Sequence, residues 1–245
     1  MTVWMLLAWV SGMAWAETAD EIVDKAREAN QVASSVQVVT MTIVSKKGNE
    51  RVRQIELRSR RGEGKVSTYL EVLSPSDVAG TKMLMIDHDD KTDEQMVYLP
   101  SFSRVNRISG SSRKGTFLGS DFTYEDLDIR EAADGTHTLA EETDSTWVID
   151  TVPADSAQYG RVRAHIGKQD FVARKVEFFD PKGKAVKVLE VEETREVEGG
   201  RLAVRTKMTD LERGTHTTLE TVSYALNLSE ADLPPSTFTA AYLER

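Results

Sequence analysis

From Val36 to Tyr224 most of the chain consists of short segments in which apolar and polar residues alternate with a period of two, separated by compact polar turns. That period restricts the fold more than any other feature, because it gives a pleated strand one apolar face and gives a helix none. Val36 to Val44 is rich in β-branched residues and runs into the turn Lys46, Lys47, Gly48, Asn49, after which Arg51 to Arg60 returns. Lys65 to Leu73 places Val66, Leu70 and Val72 on one face and Lys65, Ser67 and Glu71 on the other. One side of this strand is expected to meet a core and the other water. Thr81 to Ile86 and Gln95 to Leu99, joined by the polar turn His88 to Glu94, are apolar on both faces and are expected to be covered on both. The pattern resumes at Trp147 and continues through Arg161 to Ile166, Phe171 to Phe179, Ala185 to Glu193, Arg201 to Met208 and His216 to Tyr224. Roughly ten strands joined by tight turns predict a mainly β, single-domain antiparallel sheet that curls into a barrel or half-barrel.

Ahead of the strands, Thr18, Ala19, Asp20, Glu21 reads as a capping box, and Ile22, Val23, Ala26, Ala29 and Val32 form an apolar stripe at helical spacing. This predicts a helix running to about Ala33 and lying on the concave face of the sheet. Residues 1–16 carry no charged side chain, run apolar from Val3 to Val10 and end Ala14, Trp15, Ala16. They read as a cleavable signal peptide, too short to span a bilayer. A mature domain covering 17–245, periplasmic and soluble after export, is the expectation. Cysteine is absent, so there is no disulfide, no thiolate metal site and no residue for a lipid anchor. A formal charge of −9, from 31 basic and 40 acidic residues, argues against nucleic-acid binding, which depends on neutralising phosphates.

The usual catalytic signatures do not occur: there is no nucleophile elbow, Walker loop, zinc-protease motif, dinucleotide fingerprint or EF-hand loop. His88, His137, His165 and His216 are isolated in sequence and read as surface residues, and the run Asp87, His88, Asp89, Asp90 reads as a solvated turn rather than a cation site. No enzyme activity, cofactor or metal is expected. The most informative stretch is 98–127, long for a connection and mixing Arg104, Arg107, Arg113 and Lys114 with Tyr98, Phe102, Phe117, Phe122 and Tyr124. So many aromatics argue for an ordered cover over the apolar sheet.

Tyr98-Leu99-Pro100, the spaced Arg104 and Arg107, and above all Gly119, Ser120, Asp121, Phe122 followed by Tyr124, Glu125, Asp126, Leu127 resemble the signature of the LolA-like outer-membrane lipoprotein-sorting family, in the branch often associated with exporters of the RND or MMPL type. The similarity extends in layout over nearly all of 17–245. It implies a LolA/LolB-like open β-barrel plugged by helices, holding the acyl chain of a lipid or lipoprotein in an apolar cavity and working beside an inner-membrane exporter.

The residues themselves allow such a cavity. Met83 and Met85 share one strand face, Val97 and Leu99 share the next, and methionine suits irregular apolar ligands. Each alone reads as ordinary core, and only the group, under a helix bearing Ile22 and Val23 and near Phe117 and Phe122, favours a cavity. Arg104, Arg107, Arg113 and Lys114 have two readings. They meet a lipid headgroup or an acidic partner, or they pair internally with Asp121, Glu125, Asp126 and Asp128, which is expected for at least two of the four. Two functions stay open: a carrier that binds acyl chains, and a periplasmic sensor or interaction module that binds a lipoprotein or transporter without carrying lipid.

Overall fold

The computed structural model describes residues 17–29, 32–62, 64–89, 92–127, 134–156, 158–197 and 200–245; the expected signal peptide, residues 1–16, lies outside them. Helix α1 (Ala19–Ala29) is followed by β1 (Ser34–Val44), β2 (Glu50–Gly62), β3 (Lys65–Ser74), β4 (Lys82–His88), β5 (Glu94–Leu99) and β6 (Arg104–Ile108). After a long connection come β7 (Gly135–Glu142), β8 (Thr146–Pro153), β9 (Arg161–Gly167), β10 (Ala173–Phe179), β11 (Ala185–Val197), β12 (Gly200–Asp210) and β13 (Thr215–Leu226), and the short helix α2 (Ala240–Leu243) closes the chain.

The thirteen strands form one antiparallel sheet in the order β6-β5-β4-β3-β2-β1-β13-β12-β11-β10-β9-β8-β7. Two meanders are thus joined where β1 pairs with β13. The sheet does not close: β6 and β7 are its two edges. Being consecutive in the chain, they force their connection, residues 109–134, to cross from one edge of the sheet to the other.

Strand register defines the two faces. Met41 pairs with Leu219, Thr217 with Met208, Met208 with Leu189, Leu189 with Val176, Val176 with Ala164 and Ala164 with Ile149. Directly opposed residues point the same way, so these side chains share one face, which we call inner. Helix α1 lies on that face, its capping box formed by Thr18 N–H donating to Glu21 Oε2 and Glu21 N–H donating to Thr18 Oγ1. Its Ile22 and Val23 pack against Trp147, Ile149 and Ile166. The described helix covers Ala19–Ala29, and Val32 and Ala33, to which it was expected to run, are not helical.

The outer face departs from expectation at β3. Ser67, assigned from its alternation to the water-facing side, is buried, and so is Tyr69 on the same face, to 1% exposure. Residues 228–245 fold back over this side, so that Leu233, Phe238 and Leu243 join Tyr69 and Leu84 in an outer cluster. The Tyr242 ring meets Tyr69 edge-on at 5.2 Å. This second cover also explains why β4 is apolar on both faces. Elsewhere the outer face is held by ion pairs. Asp150 accepts hydrogen bonds from Arg163 Nε (2.7 Å) and Nη2 (2.8 Å) and from Arg161 Nη1 (3.0 Å), while the Arg161 guanidinium stacks on Phe179 at 3.9 Å.

The hydrogen bonds from Arg163, acting against burial, hold the Asp150 carboxyl below its ordinary value of 3.8. A carboxylate whose folded-state pKa is depressed contributes stability above its ordinary pKa and loses it as pH falls through the folded value. Thermal unfolding of the wild type is therefore expected to fall with pH below about pH 4. Asp150→Asn should be less stable at neutral pH and show a shallower acid slope, and identical slopes would show that this cluster contributes nothing to acid sensitivity.

Candidate functional site

What covers most of the inner face is the connection between the two edges. Residues 110–114 form a turn of 3₁₀ helix, and the chain then doubles back between Thr116 and Thr123, which make an isolated β-bridge. Phe117 N–H donates to Phe122 O (2.8 Å) and Ser120 N–H to Phe117 O (2.9 Å). The tip of this loop needs left-handed backbone at Leu118 (φ 53°) and Gly119 (φ 67°), which glycine adopts without strain. Arg51 Nη2 holds the tip by donating to Gly119 O (3.1 Å).

Two aromatic side chains drive the loop into the sheet at separate places. Phe117 enters the cluster of Met41, Ile43, Ile55, Leu70, Val72, Met83 and Met85, while Phe122 enters that of Tyr159, Val162, Phe178 and Met208. Between and beside them stand buried carboxylates. Asp121, 1% exposed, accepts from Thr217 Oγ1 (2.6 Å), Thr215 Oγ1 and Arg213 Nη2 (2.8 Å), and its own N–H donates back to Thr217 Oγ1 (3.0 Å). Asp126 accepts from Lys187 Nζ (2.5 Å), Tyr159 Oη (2.6 Å) and Thr123 N–H (2.7 Å). Burial first, and then the Asp126 charge, push the Tyr159 phenol far above its ordinary range, so it stays a donor. Glu125 accepts from the Ser156 hydroxyl through Oε1, and its Oε2 is shielded without a partner.

Thus the motif 119–126 pins the crossing segment to β11 and β13 and to the loop before β9. Charge-assisted hydrogen bonds of this kind are about twice as strong as neutral ones. Their strength depends on the site staying dry.

The other candidate residues are distributed as follows. Met83, Met85 and Phe117 do come together, and Val97, paired with Met83, is buried beside them. Leu99 is half-buried and pairs with Arg104 on the edge strand. Ile22 and Val23 do not join this group: α1 sits over β8 and β9, because Trp147, Ile149, Ile166 and the flanking Phe171 offer its stripe a matching patch. The placement of α1 over β4 and β5 is corrected accordingly, and Phe117 covers β4 instead.

Of the four carboxylates expected to pair with these cations, the three described ones have other partners. Asp121 takes Arg213, Asp126 takes Lys187 and Glu125 takes Ser156. Arg113 instead reaches Asp155 (3.4 Å), Arg107 stands 3.8 Å from Glu94, and Arg104 and Lys114 are exposed; Asp128 lies outside the described residues. The partners that sequence reasoning missed are Lys187, Tyr159, Arg213, Thr215 and Thr217. The one sequence signal for them is polar residues at inward positions of β11 and β13, where the alternation calls for apolar ones.

Two cavities lie on opposite faces of the sheet. One of about 10 Å³ lies between Glu125, Asp126, Ser156 and Tyr159, far below ligand size. A wider groove of about 380 Å³ opens on the outer face beside Val36, Arg58, Leu233 and Tyr242. Among the described residues no group of three or more His, Asp or Glu side chains is arranged to hold a metal. The histidines have nearer partners: His88 Nε2 lies 3.1 Å from Glu94 and His165 Nε2 lies 2.9 Å from Glu177.

This architecture has close counterparts. A solved outer membrane lipoprotein-sorting protein domain from Vibrio parahaemolyticus superposes with a TM-score of 0.82 at 27% identity, covering 92% of this chain and 97% of that one. A family model described as that of an uncharacterized protein matches residues 64–245. The chain belongs to this family, and its fold is that of the solved lipoprotein-sorting domain. Two further solved structures share its fold. A DUF1329 family protein from Desulfovibrio piger has a TM-score of 0.79 at 22% identity, with 91% of this chain and 100% of that one covered. A LolA superfamily protein from Nitrosomonas europaea has a TM-score of 0.71 at 23% identity, with 93% and 100% covered. No curated protein matches the chain.

Proposed function

We propose that this LolA-like protein is a non-enzymatic periplasmic carrier. It takes the acyl chain of a lipid or lipoprotein onto its inner face and passes it on, in concert with an inner-membrane exporter of the RND or MMPL type. The observation that carries the reading is the construction of the inner face. Its apolar surface is covered by a connection outside the sheet, docked by two aromatic side chains and a set of discrete polar pins. A cover without ladder hydrogen bonds to the sheet opens at lower free energy than the strands beneath it. Each methylene that then replaces it on the apolar face gains roughly 0.8 kcal/mol. The likeness to a lipoprotein-sorting domain supports the same cargo class.

Titration with a fluorescent fatty acid tests the reading. The wild type is expected to bind it, and Leu57→Asp is expected to bind at least about tenfold more weakly while keeping its circular dichroism spectrum. Leu57 is only half-buried beside the Met83 and Phe117 cluster, so the substitution burdens the bound state more than the fold. If the wild type binds no acyl ligand, or if folded Leu57→Asp binds as tightly, the carrier reading falls and the interaction module takes its place.

A further inference from the structure

Arg53 stands apart from the other arginines of β2. Arg51 donates to Gly119 O, Arg58 to Glu56 and Tyr242, and Arg60 to Leu233 O. Arg53 is only 6% exposed, yet among the described residues no hydrogen bond or ion pair reaches its guanidinium, and its Nε is shielded with no partner. Asp77 attracts it from beyond ion-pair distance, Arg51 repels it, and burial outweighs both in pushing its pKa down from the ordinary value. An arginine nevertheless stays charged. A buried charge without a direct partner is costly, and Asp77 relieves it only from beyond ion-pair distance.

Its position is as informative as its isolation. Arg53 pairs with Met41, which places it on the inner face beside the cluster that Phe117 enters. Successive inner-face rows leading away from it are Ile55 with Val72, then Leu57 with Leu70, Met83 and Val97. Arg53, next to the exposed Arg51, therefore stands at one end of an apolar strip that the Phe117 loop covers.

We propose that Arg53 is the anion-binding end of the inner-face site. It receives the carboxylate or phosphate of one amphiphile, whose acyl chain lies along the Ile55 and Leu57 rows once the 117–119 turn lifts. A guanidinium suits such an oxygen pair because two of its N–H groups can donate in parallel. Binding would pair the charge that the closed form leaves bare, so the anionic ligand gains an interaction that its neutral analogue lacks. This inference rests on the carrier reading and narrows its cargo to anionic amphiphiles.

The test compares cis-parinaric acid, its methyl ester and inorganic phosphate on the purified full chain, as wild type, Arg53→Lys and Arg53→Met. The wild type is expected to bind the acid roughly tenfold or more tightly than the ester. Arg53→Met should bind both at the affinity of the ester, and without ligand should melt no lower than the wild type; Arg53→Lys should retain part of the preference. Where Arg53→Met does not fold, Arg53→Gln carries the same comparison. Phosphate alone is expected to leave the melting temperature of every variant unchanged. Equal wild-type affinity for acid and ester, or a preference that survives removal of the guanidinium, overturns the role of Arg53 and leaves the carrier standing. A melting shift with phosphate that needs Arg53 makes this a free-anion site and overturns the amphiphile. If neither acid nor ester binds the wild type, the carrier reading fails and this inference fails with it.

Discussion

Asp121→Ala is expected to destabilise the protein by about 3–5 kcal/mol, the usual cost of removing one partner from a buried, hydrogen-bonded charge. The carboxylate is nearly inaccessible. Its loss leaves the Thr215 and Thr217 hydroxyls and the Asp121 end of Arg213 without an acceptor at the centre of the sheet, although Arg213 keeps Asp210. Asp121→Asn keeps the shape and one acceptor, so its cost should be nearer 1–2 kcal/mol. Because Thr217 both donates to the carboxylate and accepts from the Asp121 amide, a double-mutant cycle with Thr217→Val should give a coupling of at least about 0.5 kcal/mol. Chemical denaturation measures all three. Amide exchange across 115–124 should quicken in Asp121→Ala, since the loop loses its central pin. An unchanged denaturation midpoint would mean that the pins are incidental and the aromatics alone hold the segment.

Phe117→Ala is expected to cost about 3–5 kcal/mol through a different mechanism, the deletion of a buried ring from a packed apolar cluster. Phe117 is 1% exposed and touches the same cluster as Met41, Ile43 and Met83, and its ring meets Tyr124 edge-on at 6.1 Å. The loop carrying it is tied to the sheet at Arg51 and Asp121 on either side, so it cannot simply sink to refill the gap. A cost well below 2 kcal/mol would show that the segment already collapses freely. Under the carrier reading the same substitution weakens the cover without touching the sheet, so the affinity for a fluorescent fatty acid should hold or rise. A fall would place Phe117 among the groups that contact the ligand.

The strands were legible in the sequence wherever one face is buried. β1 to β5 and β8 to β13 correspond to segments whose alternation, or doubly apolar character, could be read directly. The two that escaped are β6 and β7, the edges of the sheet. β7 runs Gly135–Glu142 with nearly every residue exposed, and β6 carries Arg104 and Arg107. Edge strands are commonly polar and charged, which blunts pairing with other chains, so they lack the apolar alternation by which a strand is recognised.

The motif 119–127 shows the complementary limit. Its resemblance to the LolA-like signature was visible, but its carboxylates were expected to meet cations within the same stretch, whereas Asp121 finds Arg213, 92 positions away, and Asp126 finds Lys187, 61 positions away.

Alternation, capping and turn chemistry act between residues a few positions apart, so the sequence by itself determined the antiparallel meander, the capped N-terminal helix and the presence of an ordered aromatic cover. Where these parts land was decided only in three dimensions. The pairing of β1 with β13 puts β6 and β7 at opposite edges, and the described part of their connection, 109–127, lies on the inner face. That crossing, and the return of 228–245 over β3, settle which apolar stripe meets which. The free energy of burial depends on the surfaces that meet and carries no record of their separation along the chain.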